Sequence, residues 1–319
     1  MVLPGLQSAV RVFPPKTTLK FSPAPLMSDD IATPIVYLNG NFLPLGDAKI
    51  SVLDRGFLFG DGIYEVIPVY DGHLFRLAEH FERLAQSLAG IRCPPPLTTV
   101  EWIAVLTELV VRNGAGDLSI YLQITRGVGP NRDHAFPVGV IPSVFAMATP
   151  LIPLPAEKRR TGVRAILIDD LRWGRCNLKV ITLLANVLAR QQAIDVGAYE
   201  SILVRNGQIT EGAASNVFIV RNGILLTPPK GPLLLPGITR DLVLELATTA
   251  NLPVREEILT VQDLISAEEI WLTSATKEVV AVIELDDHVI GTGRPGSYYQ
   301  KMTALYQSFK DRVRRRFDL

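Results

Sequence analysis

The sequence predicts a mixed α/β protein, of the α+β kind, in two domains. Two patterns indicate this class: short apolar runs bounded by turn residues, typical of β-hairpins, and longer runs with apolar residues three or four positions apart, typical of helices. A chain of 319 residues is long enough for two domains of ~150 residues each. A proline-rich stretch near the middle of the chain supplies the boundary between them.

The first domain is predicted over residues 34–149. The turn pair Asn39-Gly40 between two apolar runs predicts a β-hairpin, and Asp71-Gly72 predicts a second one over residues 63–75. The remaining apolar patterns complete a small α+β domain, with helices over residues 77–88 and 100–110 and strands over 119–125 and 144–149.

Residues 150–156 are the predicted linker, because Pro150, Pro153 and Pro155 stiffen an extended stretch that cannot join the middle of a sheet. The second, larger domain is predicted over residues 157–319. Its expected elements are strands over 163–168, 217–220 and 269–273, hairpins over 201–209 and 279–290, and helices over 181–196 and 238–251.

Residues 1–33 form a predicted leader outside both domains. Residues 1–28 contain no Asp or Glu but carry Arg11, Lys16 and Lys20, a composition that resembles an organellar transit peptide. Five prolines interrupt any amphipathic helix in this stretch, and a second methionine, Met27, precedes the first predicted strand. We therefore expect a disordered leader or an upstream start codon, with the transit peptide as the alternative.

Composition limits the partners of the protein. The 32 Lys and Arg residues equal the 32 Asp and Glu residues in number, so no overall field attracts nucleic acid or an acidic membrane surface. No apolar run approaches the ~20 residues of a membrane span. The two cysteines, Cys93 and Cys176, form no disulfide framework and indicate a reducing, cytoplasmic location. No metal site is predicted, and small molecules or a second copy of the chain are the expected partners.

One lysine has the surroundings of a covalent catalyst. Lys179 follows Leu178 and precedes a long apolar run, so its amine is expected on an apolar surface, where desolvation favours the neutral form. A neutral lysine amine can form a Schiff base with a carbonyl group. The same block continues to a turn of small residues that contains Glu211.

Several separated motifs in order resemble the fold-type IV pyridoxal-phosphate aminotransferases, and among them the D-amino acid transaminases. The resemblance runs from Ile35 to about Lys310 and is carried by the motifs at residues 54–66, 132–134, 169–179, 210–216 and 235–240. It implies pyridoxal 5'-phosphate as cofactor and a homodimer. It also implies the fold-type IV architecture, in which a small α+β domain is joined to a larger barrel-like β domain with helices.

The phosphate of the cofactor needs backbone N–H groups at a helix N-terminus, hydroxyl donors and a guanidinium group. The predicted helix that begins after Gly237 offers the amides of Ile238 and Thr239 together with the Thr239 hydroxyl. The resemblance adds Arg83 and the pair Ser274 and Ala275. Related transaminases often have Thr where this chain has Ala275, so one hydroxyl is missing there or is replaced by that of Thr276.

The ring of the cofactor needs a carboxylate that keeps its nitrogen protonated, because the cationic ring accepts electrons best. Glu211 matches the glutamate that the family uses for this purpose. Leu235 is expected to pack on the ring face opposite Lys179, and Arg172 is a candidate contact for the phenolic oxygen. Lys179 is expected to bind the cofactor as a Schiff base and then to move the proton between the substrate Cα and the cofactor.

Substrate choice is predicted from a loop that carries Arg132 and His134. In D-amino acid transaminases an Arg-x-His on this loop comes from the neighbouring subunit and binds the substrate carboxylate, together with a tyrosine that matches Tyr64. A bidentate arginine fixes which hydrogen on Cα faces the lysine. The loop is one residue longer here, around Asn131, than in the D-specific pattern, which relaxes the expected specificity.

The leading hypothesis is a transaminase that exchanges the amino group of D-amino acids with the keto group of 2-oxo acids by a ping-pong cycle. A branched-chain L-amino acid transaminase is one alternative, although that group usually has Phe-Glu-Gly where this chain has Tyr64-Glu65-Val66. Aminodeoxychorismate lyase, a relative that uses the lysine for elimination, is another. A protein that merely stores the cofactor is the third, but it would have no use for Arg132 and His134.

Overall fold

A computed structural model describes residues 33–114 and 116–315 of the chain. From Pro34 onward the chain packs as one unit. The leader predicted for residues 1–33 lies, except for Thr33, outside the described residues. The division into domains at residues 150–156 stays a prediction, although the change from one β-sheet to the next falls in this part of the chain.

The first half of the chain forms an antiparallel sheet covered by helices. Its strands are β1 (Ile35–Leu38), β2 (Asn41–Pro44), β3 (Gly62–Tyr70), β4 (His73–Leu74), β5 (Leu118–Thr125) and β6 (Ser143–Pro150), in the order β2-β1-β6-β5-β3-β4. The helices are a 3₁₀ turn (Leu45–Asp47), α1 (Arg55–Phe59), α2 (Leu77–Gly90) and α3 (Thr99–Arg112).

Local signals place these elements where the sequence predicted them. Asn39 and Gly40 both have positive φ angles in the β1–β2 turn, as a primed hairpin turn requires. Thr98 and Glu101 form a capping box that starts α3. The apolar faces of α2 and α3 then pack on the sheet over a core that includes the fully buried Ile67 and Ile120.

The second half forms a nine-stranded sheet with helices on it. Its strands are β7 (Val163–Asp169), β8 (Glu200–Arg205), β9 (Gln208–Gly212), β10 (Asn216–Arg221), β11 (Ile224–Thr227), β12 (Val254–Glu256), β13 (Glu269–Ser274), β14 (Glu278–Leu285) and β15 (His288–Val289). The order is β12-β11-β10-β13-β14-β7-β8-β9, with β15 on β14. The helices are α4 (Ala156–Thr161), α5 (Leu184–Asp195), α6 (Ile238–Thr249), α7 (Val261–Ile265) and α8 (Ser297–Arg314).

This sheet is buried on both faces and curls on itself. Alternate residues of β10 divide between two cores: Val217 and Ile219 pack inside the curl, whereas Phe218 and Val220 pack against α6 and α8. The edge strand β9 is joined to β10 by a three-residue turn and contacts it. Because β9 and β10 lie far apart in the strand order, this contact curls the sheet. The curled sheet confirms the barrel-like second part that the resemblance implied.

The structure differs from the sequence prediction in a few elements. The helix predicted over residues 181–196 begins at Leu184, because residues 179–181 pair with β3 instead. Helix α8 was not predicted, and its buried face includes polar side chains, Tyr299, Tyr306 and Lys310, which hide the apolar period. The short elements α1, α4, α7, β11 and β12 were not predicted either. Within the described ranges no helix has the length and apolarity to cross a membrane.

The packing of the first core can be tested at Ile120. Its side chain is fully buried on a central strand, so Ile120→Ala should lower the free energy of unfolding by about 2–5 kcal/mol through lost burial and a residual cavity. Urea denaturation at fixed protein concentration measures this change. Val100→Ala on the exposed side of α3 is the control and should change stability by less than about 0.5 kcal/mol. Equal effects of the two substitutions would contradict the assigned core.

Candidate active site

A cavity of about 930 Å³ lies where the two halves of the chain meet. Ten of the twelve residues predicted for the site line it: Tyr64, Arg83, Arg172, Lys179, Glu211, Leu235, Ile238, Thr239, Ser274 and Ala275. Arg132 and His134 are not among the residues that line it. The structure therefore places residues from separate sequence motifs around one cavity. The chemical roles of these residues stay predictions.

Lys179 lies on a short extended segment that is added to the start of β3. The Tyr64 N–H donates to the Lys179 carbonyl at 2.9 Å, and the Ile181 N–H donates to the Gly62 carbonyl at 3.1 Å. The Lys179 N–H donates to the Ser87 hydroxyl at 3.2 Å. These bonds fix the backbone of a half-buried lysine whose Nζ lies 4.1 Å from the centre of the Tyr64 ring. The amine is thus presented to the cavity from a rigid support.

Glu211 is the penultimate residue of strand β9, and its carboxylate is buried. Arg172 donates to one carboxylate oxygen, and the Asn216 Nδ2 and the Leu235 N–H donate to the other at 3.1 and 3.0 Å. Burial raises the pKa of Glu211 to about 7, against the opposing effects of Arg172, the Leu235 N–H and Lys179. A carboxyl group with this pKa can hold or release a proton near neutral pH, which suits a partner for a ring nitrogen.

Arg172 lies beside Glu211, where each of the three nitrogens of its guanidinium group has a protein partner. It forms a two-point bond with the carboxylate of Asp170, and it also donates to Glu211, to the Thr210 hydroxyl and to the Leu233 carbonyl. The expected contact with a phenolic oxygen would use Nη1, for which the described contacts give one partner, or would share the other donors. Asp170 was not predicted as a site residue, although it stands in the motif block, because a surface turn explains an Asp there equally well.

Arg83 is held by a buried carboxylate that the sequence analysis also missed. Glu65 accepts from the Arg83 Nε and Nη2 at 2.8 and 2.6 Å and from the His80 Nδ1 at 2.7 Å. Burial alone would raise the pKa of Glu65, but Arg83 and His80 lower it to about 2. The pair gives Arg83 a fixed orientation at the cavity wall. A signal existed, since Glu65 follows Tyr64 on a strand and must therefore face α2.

The other end of the cavity offers donors for an anion. Helix α6 begins after Gly237, and within the described structure no side chain caps it, so its first N–H groups are available. A Cβ atom on Gly237 would lie 2.0 Å from the Asn216 Oδ1, so glycine is required at this position. Thr239 and the turn at residues 274–276 line the same cavity as Arg83. The residues present therefore fit a ring with a phosphate arm.

The loop with Arg132 and His134 lies between β5 and β6 and is exposed on its own subunit. Arg55, at the start of α1, donates to the carbonyls of Asp133, His134 and Ala135 at 2.6–3.2 Å. The Phe59 ring, at the end of α1, lies 5.1 Å from both the His134 ring and the Arg132 guanidinium. Helix α1 thus orders the loop backbone, and the side chains of Arg132 and His134 do not line the cavity of this chain.

Known proteins match this chain over most of its length. It is 40% identical to the D-alanine aminotransferase of Bacillus licheniformis, over 86% of this chain and 96% of that protein. It is 36% identical to the D-alanine aminotransferase of Staphylococcus aureus strain N315, over 86% and 97% of the two chains.

Two solved structures are similar to the whole fold. The branched-chain amino acid aminotransferase of Escherichia coli superposes with a TM-score of 0.81 at 28% identity, covering 87% of this chain and 94% of that one. The branched-chain aminotransferase of the archaeon Thermoproteus uzoniensis, solved with norvaline, gives a TM-score of 0.79 at 30% identity, with 86% and 94% covered.

A family model described as amino-transferase class IV matches residues 62–285, the stretch from the start of β3 to the end of β14. This stretch contains Lys179, Glu211 and the N-terminus of α6, which the structure places around one cavity. The family match and the cavity thus identify the same part of the molecule, and the chain belongs to the class IV aminotransferases.

Proposed function

We propose that this protein is a transaminase that uses pyridoxal 5'-phosphate to exchange the amino group of D-amino acids, such as D-alanine, with 2-oxo acids, such as 2-oxoglutarate. The observation that carries the proposal is the position of Lys179 on the wall of the same cavity as the buried Glu211. The identity of 36–40% with D-alanine aminotransferases supports the D-amino acid class.

The cofactor, when bound, supplies an electron sink for the electrons left on the substrate Cα. Lys179 then serves as the base that removes the Cα proton and as the acid that returns it. Its backbone is fixed by hydrogen bonds and its Nζ lies over the Tyr64 ring at the cavity wall, which favours a short transfer path. The buried carboxylate of Glu211 would accept a hydrogen bond from the protonated ring nitrogen and so keep the proton there.

The phosphate is proposed to bind between Arg83 and the N-terminus of α6. Arg83 cannot swing away, because Glu65 binds two of its nitrogens, yet this carboxylate also offsets its charge. The N–H groups of Ile238 and Thr239 therefore supply a large share of the attraction for the anion. The Ala275 position adds a backbone N–H and no hydroxyl.

The substrate carboxylate is proposed to bind Tyr64 of one subunit and Arg132 and His134 of its partner in a homodimer. Exposed apolar side chains lie just before α1, on α1 and on the loop itself: Val52, Phe57, Val138 and Ile141. A second copy that covers these side chains would bury apolar surface and deliver the loop to the neighbouring cavity. We also infer a cytoplasmic location, since Cys93 and Cys176 are both free and buried.

The branched-chain interpretation has support from the solved structures, which share the fold. Fold does not decide the substrate, however, because the same scaffold accommodates different specificities through its loops. The ordered Arg-x-His loop favours a carboxylate-binding role that fixes the stereochemistry of the substrate.

A substrate panel tests the proposed function. Purified protein with pyridoxal phosphate is mixed with D-alanine and 2-oxoglutarate, and pyruvate and D-glutamate are expected as products, because a ping-pong exchange moves the amino group between them. Chiral chromatography measures the glutamate formed. L-leucine in place of D-alanine is the comparison donor. Brisk turnover of L-leucine with none of any D-amino acid would assign the protein to the branched-chain group.

The role of Lys179 can be tested by substitution. Lys179→Ala should lower kcat by about a thousandfold or more, because it removes both the proton carrier and the covalent link to the cofactor. Borohydride reduction followed by mass spectrometry of peptides should label Lys179 in the wild-type protein and no lysine in the variant. Lys301→Ala, at an exposed site on α8, should keep full activity. Labelling of another lysine, with activity retained in Lys179→Ala, would disprove the assignment.

The contribution of the loop can be tested at Arg132. Arg132→Ala should lower kcat/KM for D-alanine roughly 30-fold or more, which corresponds to about 2 kcal/mol of lost transition-state stabilisation, because the substrate carboxylate would lose its charged partner. The absorption spectrum of the bound cofactor should stay unchanged, since its proposed contacts lie elsewhere. Arg112→Ala, an exposed arginine on α3, is the matched control. Wild-type kinetics of Arg132→Ala would remove the basis for the proposed D-specificity.

A further inference from the structure

The carboxylate of Asp170 is fully buried and accepts an unusual number of hydrogen bonds. The Arg172 Nε and Nη2 donate to its two oxygens at 2.8 and 2.9 Å, and the Arg172 backbone N–H donates at 3.1 Å. The Thr210 hydroxyl donates at 3.0 Å, and the Arg205 Nη2 lies 3.1 Å away. Asp170 is therefore a fixed anion at the end of β7.

The two-point bond with Asp170 fixes the plane of the Arg172 guanidinium group. Two of its nitrogens face Asp170, so the third, Nη1, must point to the opposite side, where it donates to Glu211. Arg205 binds the Arg172 and Trp173 carbonyls and so holds the backbone of the same turn. A rigid row of Asp170, Arg172 and Glu211 results.

We propose that Asp170 is a positioning residue that holds the Arg172 guanidinium against Glu211, so that the proton shared by Glu211 and the cofactor ring nitrogen lies on the nitrogen. The inference rests on the proposed function, and concerns the control of that site. Because the cation touches Glu211, it lowers the proton affinity of this carboxylate more than that of the more distant ring.

The other groups around Glu211 are few. Lys179 faces it across the cavity, and the Cys176 thiol interacts with its charge from the turn before Lys179. The Asn216 Nδ2 and the Leu235 N–H are neutral donors that do not titrate. Among the described charged groups that touch Glu211, Arg172 is thus the one whose position depends on Asp170.

The test uses Asp170→Asn, which keeps the size of the side chain and removes its charge. Holoenzyme is prepared with pyridoxal phosphate labelled with ¹⁵N in the ring, and the ¹⁵N chemical shift is followed against pH. In the wild-type protein the shift should stay at the protonated position through neutral pH. In Asp170→Asn the nitrogen should lose its proton about one pH unit lower, because a less constrained Arg172 lowers the proton affinity of Glu211 by less and the carboxylate then competes for the ring proton. The value of kcat should fall roughly tenfold.

Asp263→Asn is the matched control, because Asp263 also pairs with an arginine, Arg221, but does not line the cavity. Its ¹⁵N shift and kcat should match the wild type. Arg172→Met should change the ¹⁵N shift in the same direction as Asp170→Asn. The double variant should show no further change beyond Arg172→Met, since Asp170 is proposed to act through Arg172.

The outcomes are distinct for the inference and for the proposed function. An unchanged ¹⁵N shift in a folded Asp170→Asn protein, or in Arg172→Met if Asp170→Asn does not fold, would overturn the inference. Additive changes in the double variant would also overturn it, because they indicate independent structural effects. If the wild-type protein takes up no pyridoxal phosphate at all, the proposed function itself fails.

Discussion

The site depends on the pairing of residues 179–181 with the first strand-forming residues of β3. Asp170 directly follows β7 of the second sheet, and eight and ten residues later Leu178 and Val180 lie in the core under the first sheet. The backbone hydrogen bonds from Tyr64 to Lys179 and from Ile181 to Gly62 close this crossing. They fix the backbone positions from which the side chains of Tyr64 and Lys179 enter the cavity. The cavity wall therefore has contributions from both sheets, fixed at one seam.

The two buried carboxylates around the cavity have opposite electrostatic environments although each pairs with an arginine. Glu65 receives two nitrogens of Arg83 and one of His80, which more than offset its burial, and its pKa falls to about 2. Glu211 accepts a hydrogen bond from one guanidinium nitrogen of Arg172, whose charge is shared with Asp170. The effect of burial therefore dominates, and the pKa of Glu211 rises to about 7. The first carboxylate is a permanent anchor, whereas the second can exchange a proton near neutral pH.

Sequence patterns predicted most elements and the motif residues of the cavity because those features are local. A hairpin needs Asn39-Gly40, and a glycine such as Gly237 is required by a neighbour within reach of its missing Cβ atom. The start of α5 at Leu184 was not predictable in this way. Residues 179–181 form hydrogen bonds with a strand more than one hundred residues earlier and therefore do not belong to the helix. Glu65 was missed for the same reason, as its partners Arg83 and His80 lie on α2, whereas Asp170 was missed because an Asp in a surface turn is common.

Loop order offers a physical route to substrate choice on a scaffold that superposes on branched-chain enzymes with TM-scores near 0.8. Arg55 binds the backbone carbonyls of the loop and makes no bond to the side chains of Arg132 or His134 among the described contacts. The Phe59 ring lies 5.1 Å from the ring of His134 and from the guanidinium group of Arg132. Contacts within the chain thus order the loop before a substrate binds, which reduces the entropy that binding has to offset. If the loop binds the substrate carboxylate in the partner's cavity, as proposed, a change at Arg55 or Phe59 alters substrate choice although neither residue lines the cavity of its own chain.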